Sequence, residues 1–115
     1  MDSFSMEQRR STRYSVQVSA ILTFRAYGEH FENMTHDLSV DGASFSAWHP
    51  VHMGDGVLIS LQFDEERFEC KGQVRWVQTL PDGERRFGVR FVDLFDDERR
   101  RLQHILRTEG EPIHV

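Results

Sequence analysis

The sequence predicts a mainly β domain, a six-stranded antiparallel barrel with a C-terminal α-helix. Three features carry that expectation. Apolar residues recur at every second position through most of the chain, Gly, Pro and Asp turn signals punctuate those runs, and the period turns helical after Leu94. At 115 residues the chain is about one domain's worth, and its nine phenylalanines supply material for a single core.

The first strand falls within residues 14–28, "YSVQVSAILTFRAYG". Val16, Val18, Ala20, Leu22 and Phe24 make one apolar face, against Gln17, Ser19, Ile21, Thr23 and Arg25. A second short strand is expected over Phe31–Thr35 and a third over Ala43–Trp48, where Ala43, Phe45 and Ala47 share a face. Gly54-Asp55-Gly56 signals a turn into a fourth strand, with Val57, Ile59, Leu61 and Phe63 inward. The fifth, "RFECKGQVRWVQ", and the sixth, "RRFGVRFV", flank Pro81-Asp82-Gly83, which reads as a hairpin loop. Gly72 and Gly88 lie inside strand patterns, where glycine marks a bulge, a bend or a close backbone approach. Closing such a sheet into a barrel removes its exposed edges.

In "FDDERRRLQHILRTEG", Leu102, Ile105 and Leu106 stand at helical spacing. Asp96 is the candidate N-cap, Asp97 and Glu98 suit the first turn, and Gly110 is a candidate stop. The single apolar stripe suits packing across a barrel end, and would also suit a partner. Arg99-Arg100-Arg101 reads as the exposed side of the helix, balancing the acids before it.

Charge and composition exclude several classes. A formal net charge of -5 argues against a general DNA or RNA binder, which carries a basic face. Cys70 is the only cysteine, so neither an internal disulfide nor a cysteine-built zinc site is expected. No apolar run reaches the length of a membrane span, and "MDSFSMEQRR" lacks the apolar centre of a signal peptide. A cytoplasmic protein without membrane insertion is the expectation. His49 and His52 flank a proline in a short loop, and the other histidines are scattered, so surface histidines are expected rather than a metal site. No phosphate-cradling Gly-rich loop is present, and no Ser, His and Asp spacing marks a nucleophile.

Two stretches remain. "QRRSTRY" gathers Arg9, Arg10 and Arg13 just before the first apolar run. "DLSVDG", between the second and third strands, places Asp37, Ser39 and Gly42 where a turn is due. Alone, the first is a solvated tail and the second a loop. Together, Arg-x-x-x-Arg (Arg9, Arg13) before the first strand and Asp-x-Ser-x-x-Gly (Asp37, Ser39, Gly42) after the second resemble the PilZ domain family of bacterial receptors for cyclic di-GMP. The resemblance runs over roughly residues 7–107 and includes Gly88-x-x-Phe91 and the trailing helix.

That resemblance implies a PilZ-like barrel over 14–107, a flexible arm over 1–13 and a tail over 108–115. It implies a non-enzymatic cyclic di-GMP receptor with no cofactor, whose arm closes over the ligand and alters a surface for an unidentified effector protein. Motility, chemotaxis and exopolysaccharide machinery are the implied targets. Arg9 and Arg13 become the paired motif arginines, Arg10 an extra contact, and Asp37, Ser39 and Gly42 the surface motif. The chemistry agrees. A guanidinium fork meets a phosphodiester or the guanine O6/N7 edge at two points, and it also stacks on bases. A carboxylate at Asp37 accepts from guanine N1 and N2, the Ser39 hydroxyl donates or accepts, and Gly42 permits close approach or a positive φ. Trp76 either offers its ring to a purine or is a core or rim aromatic. In the family an arginine just before the first motif accompanies an intercalated ligand dimer. This chain has Gln8 there, so one or two ligands per chain stay open.

Two other readings compete. A PilZ-like adaptor that ignores nucleotides is the alternative function, but all five motif positions are intact. A single-stranded nucleic-acid barrel would need a basic groove that the composition does not promise.

Overall fold

The computed structural model describes residues 12–109. Among these it contains β1 (Ser19–Phe24), β2 (His30–Met34), β3 (Asp37–Leu38), β4 (Gly42–Ala47), β5 (Gly56–Gln62), β6 (Arg67–Thr79), β7 (Arg85–Val92) and α1 (Asp96–Glu109). The strands form one antiparallel sheet in the order β2-β1-β5-β6-β7-β4-β3. It curls until β2 comes back to β4, where Asn33 Nδ2 donates to the Ser46 carbonyl at 2.7 Å. A side chain bridges that seam, not a strand ladder, so the barrel is nearly closed.

Alternation decides what lies inside. Leu22 and Phe24 of β1, Phe45 of β4, Val57 and Leu61 of β5, and Phe87 of β7 are fully buried in the curl. α1 closes one end with Leu102, Ile105 and Leu106, so its apolar stripe packs on the barrel. Arg101 pins it there, donating to the Arg67 carbonyl at 3.0 Å, pairing with Glu66 at 3.3 Å and lying over the Phe68 ring. The Pro81-Asp82-Gly83 hairpin forms as expected: Leu80 N–H donates to the Glu84 carbonyl, and Gly83 takes a φ of 94°.

Four expectations change. There are seven strands rather than six, because Asp37–Leu38 pairs with Ser44 and Ala43 of β4. Two residues are too short to display a period. The first strand starts at Ser19 rather than within 14–18, because residues 16 and 18 bond to a side chain instead of a strand. The buried Thr35 hydroxyl accepts from Val18 N–H at 2.9 Å and donates to the Val16 carbonyl at 2.6 Å.

The helix N-cap is Phe95 rather than Asp96. Arg99 N–H donates to the Phe95 carbonyl, and the Glu98 carboxylate reaches back to accept Phe95 N–H at 3.1 Å. Glu98→Ala is therefore expected to cost about 0.5–1.5 kcal/mol, the net worth of one such bond, read from urea denaturation midpoints. An unchanged midpoint would show that the Glu98 cap contributes nothing. Finally, the arginine triplet is not one exposed face. Arg100 and Arg101 are exposed, but Arg99 is half-buried, and both Arg99 and Arg101 bond to the barrel. The candidate stop at Gly110 lies outside the described residues.

Candidate ligand-binding site

The two motifs meet at the end of the arm. Tyr14 is buried and forms an antiparallel bridge with Leu38: Tyr14 N–H donates to the Leu38 carbonyl at 2.9 Å and Leu38 N–H returns at 3.0 Å. Gln103 of α1 donates to the Tyr14 hydroxyl at 3.2 Å and holds the ring from the other side. With Tyr14 fixed, Arg13 falls diagonally opposite Asp37, and its Nη2 donates to Asp37 Oδ1 at 2.7 Å. The arginine side chain is 55% exposed and the carboxylate 24%, so both still face solvent. Arg9 and Arg10 lie outside the described residues.

The turn after β3 is held by its own polar groups. Ser39 N–H donates to the Gly42 carbonyl at 2.8 Å, and the Ser39 hydroxyl accepts Asp41 N–H at 3.1 Å. Accepting there leaves the hydroxyl hydrogen to donate elsewhere, although Ser39 is buried. Asp41 ties the turn to its surroundings, its carbonyl accepting Phe91 N–H and its carboxylate accepting from Arg99 of α1 at 3.0 Å. Gly42 does not adopt a positive φ. It is small because β4 runs close to β7 there: a Cβ would overlap the Val89 carbonyl oxygen.

Asp37 belongs to a row that crosses four strands. It pairs with Ser44, Ser44 with Gly88, and Gly88 with Trp76. All four sit on the outer face, since Phe45, Phe87 and Val89 beside them point inward. A β-bulge between Val74 and Trp76 sets this register. The Trp76 indole covers Gly88 so closely that a Cβ would strike its ring nitrogen, and the residue is still 43% exposed. Trp76 is thus an outer-face aromatic and not a core one. Gly88 serves as its seat. The structure therefore brings Arg13 beside Asp37 at one end of an outer-face row over β3, β4, β7 and β6 that ends at Trp76, with Gly42 at the start of β4 and the buried Ser39 in the turn between β3 and β4.

Residues the sequence reading passed over also line this region. Arg99 and Gln103, four apart on one flank of α1, touch the turn and the base of the arm. Helical spacing from Leu102 and Leu106 could have placed them at the barrel end. Arg86 and Arg90 alternate with Phe87, Val89 and Phe91, and the period of two already put them outside.

Other candidate chemistry is weak. Among the described residues no group of three or more His, Cys, Asp or Glu could hold a metal ion. His49 is not a simple surface histidine: its ring stacks on Phe31 at 3.7 Å between centroids. Burial, with the Glu98 carboxylate adding to it, pushes the Cys70 thiol up to about 12, the opposite of an activated nucleophile. A depression of about 490 Å³ opens over β1, β5 and β6, and no motif residue lines it. No described helix is long and apolar enough to cross a membrane.

Fold and site together define a small curled β-barrel in which Arg13, just before the bridge at Tyr14, bonds to Asp37 of an Asp-x-Ser-x-x-Gly turn. The PilZ domain family model matches residues 7–108, and the chain belongs to that family. Solved structures share the fold. The PilZ domain of YcgR from Escherichia coli, with c-di-GMP, superposes with a TM-score of 0.74 at 18% identity, covering 89% of this chain and 91% of that one. YcgR in complex with c-di-GMP gives 0.75 at 20% identity, over 88% of this chain and 45% of that one. The Bacillus subtilis inhibitor of motility, MotI/DgrA, gives 0.72 at 15% identity, over 87% and 50%. The chain thus spans about half the length of the last two. No curated protein matches it at a significant level.

Proposed function

We propose that this chain is a cyclic di-GMP receptor. The ligand lies on the outer face of β3, β4, β7 and β6 while the arm bearing Arg9, Arg10 and Arg13 closes over it. The observation that carries this reading is the Arg13–Asp37 contact, because it joins the two motifs that the ligand chemistry requires together. Family membership and the c-di-GMP complex of the YcgR PilZ domain support it. Asp37 takes guanine N1 and N2 hydrogens, Arg13 and the arm take phosphodiester or guanine O6/N7, Ser39 donates from the turn, and Trp76 stacks. Gly42 keeps the turn tight against β7. The role is binding rather than catalysis, in the cytoplasm. Closure of the arm creates or hides a surface for an effector in motility, chemotaxis or exopolysaccharide output.

Magnitudes permit it. Micromolar affinity needs about 8 kcal/mol, and each charge-assisted hydrogen bond supplies about 1.5–3 kcal/mol. Several such bonds plus stacking exceed the cost of ordering an arm, about 2–5 kcal/mol. Isothermal titration with cyclic di-GMP is expected to saturate at tens of micromolar or below, with GTP and cyclic AMP silent. The fitted stoichiometry separates one ligand per chain from two. A flat titration with cyclic di-GMP would sink the reading.

A further inference from the structure

β6 runs on past the end of the strand beside it. Its pairing with β5 stops at Gly56 and Gln73, and the loop before β5 extends that cover by one step: Gly54 N–H donates to the Val74 carbonyl and Val74 N–H to the Asp55 carbonyl. Beyond the bulge, residues 76–79 pair with β7 alone. Leu80 N–H donates to the Glu84 carbonyl at 2.8 Å, so Leu80, Gln78 and Trp76 turn their backbone groups toward β7. Alternation then turns the backbone groups of Val77 and Thr79 to the other side. Among the described residues no backbone group bonds to Val77 or Thr79 from that side. The Trp76 indole leans over Gly88 of β7 and leaves this edge clear. The edge sequence "WVQTL" carries neither charge nor proline, two of the devices that keep exposed edges from pairing.

We propose that this edge of β6 is an interface for a second copy of the chain, the two β6 strands pairing antiparallel across a two-fold axis at Gln78. The edge is complementary to itself in that register. Val77 meets the partner's Thr79 and Thr79 meets the partner's Val77, so each N–H and carbonyl that the single chain leaves open gains a bond. On the axis Gln78 faces the partner's Gln78, and a side-chain amide both donates and accepts. Trp76 comes opposite the partner's Leu80, so no like charges face each other along the ladder. Met53, next to Gly54 where the cover of β6 ends, is 71% exposed and stands on the side where the partner's turn arrives. Pairing of this kind is isologous, so it closes at two chains and builds no filament. Its bonds lie in the plane of the sheet, and the interface stands independently of the receptor reading above.

The test is sedimentation equilibrium of the full chain from micromolar to millimolar concentration, with amide hydrogen exchange at both ends of the range. The mass is expected to rise reversibly from one chain to two and to stop there. The Val77 and Thr79 amides should exchange more slowly in the concentrated sample, while the Gln78 amide, bonded to β7 in either state, should not respond. Thr79→Pro removes an edge donor from each copy without touching the β7 ladder, and should weaken the dimer about tenfold or more. Thr79→Ala keeps the N–H, and its dimer should stay within about threefold of the parent. Should the proline variant melt early, the exchange of the parent chain decides alone. A parent that stays monomeric at millimolar concentration, or that grows beyond two chains, would overturn the proposal. So would equal losses in the proline and alanine variants. A dimer whose Val77 and Thr79 amides ignore concentration would overturn it too, since its copies then meet elsewhere.

Discussion

Arg13→Ala is expected to lower cyclic di-GMP affinity by about ten- to a hundredfold while leaving the ligand-free fold almost as stable as before. The two effects separate because of where the side chain sits. Among the described residues the Arg13 side chain bonds to Asp37, and it is more than half exposed. Exposed pairs of that kind contribute about 0–1 kcal/mol. The backbone bridge of the adjacent Tyr14 to Leu38 does not involve the Arg13 side chain, so the base of the arm stays attached. Against a ligand phosphodiester or guanine edge the same guanidinium makes a two-point, charge-assisted contact worth about 1.5–3 kcal/mol per bond. Titration calorimetry and a thermal melt of the free variant check both halves. Weakened binding together with a large loss of stability would make Arg13 a structural residue, and unchanged binding would remove it from the site.

Gly42→Ala should fail in the opposite way, losing fold and site together. The added Cβ meets a backbone carbonyl, Val89 O, and not the end of a flexible side chain. Relief requires β4 and β7 to part, at a cost typical of overpacking, about 1–3 kcal/mol. For a domain of this size that lowers the melting temperature by roughly 5–20 °C. The Gly42 carbonyl also accepts Ser39 N–H, and the neighbouring Asp41 carbonyl accepts Phe91 N–H. A shift of β4 therefore reshapes the turn, and affinity should fall by at least the roughly tenfold carried by one charge-assisted bond. A variant that melts like the parent would show that the close approach is relieved at no cost. Then the glycine would have to be explained through the ligand.

Much of this was legible in the residues. The sixth expected strand, Arg85–Val92, coincides with β7, because "RRFGVRFV" alternates without interruption. The hairpin at Pro81-Asp82-Gly83 and the helix after Leu94 were readable for the same reason, since turn chemistry and helical spacing are local. β3 was not readable, because two residues hold no period and pair only once β4 lies beside them. The start of β1 was hidden because a threonine hydroxyl 17 positions away stands in for a partner strand. Phe95 as N-cap went unseen because its own side chain plays no part; Glu98 completes the cap.

The site divides along the same line. The resemblance to the PilZ family named Arg13, Asp37, Ser39 and Gly42 as candidate contacts, and Trp76 joined them as an aromatic on the fifth expected strand. Which surface they share was settled by register. The row from Asp37 to Trp76 runs through strands 39 positions apart, and a one-residue slip would turn every side chain in it to the other face. Packing reassigned Gly42 from a turn glycine to a close contact with β7, and Arg99 from an exposed cation to the anchor of Asp41. Short-range periodicity determined what the elements are. Only long-range pairing, through β7 and the barrel-end helix, decided which residues stand together on the outside of the barrel.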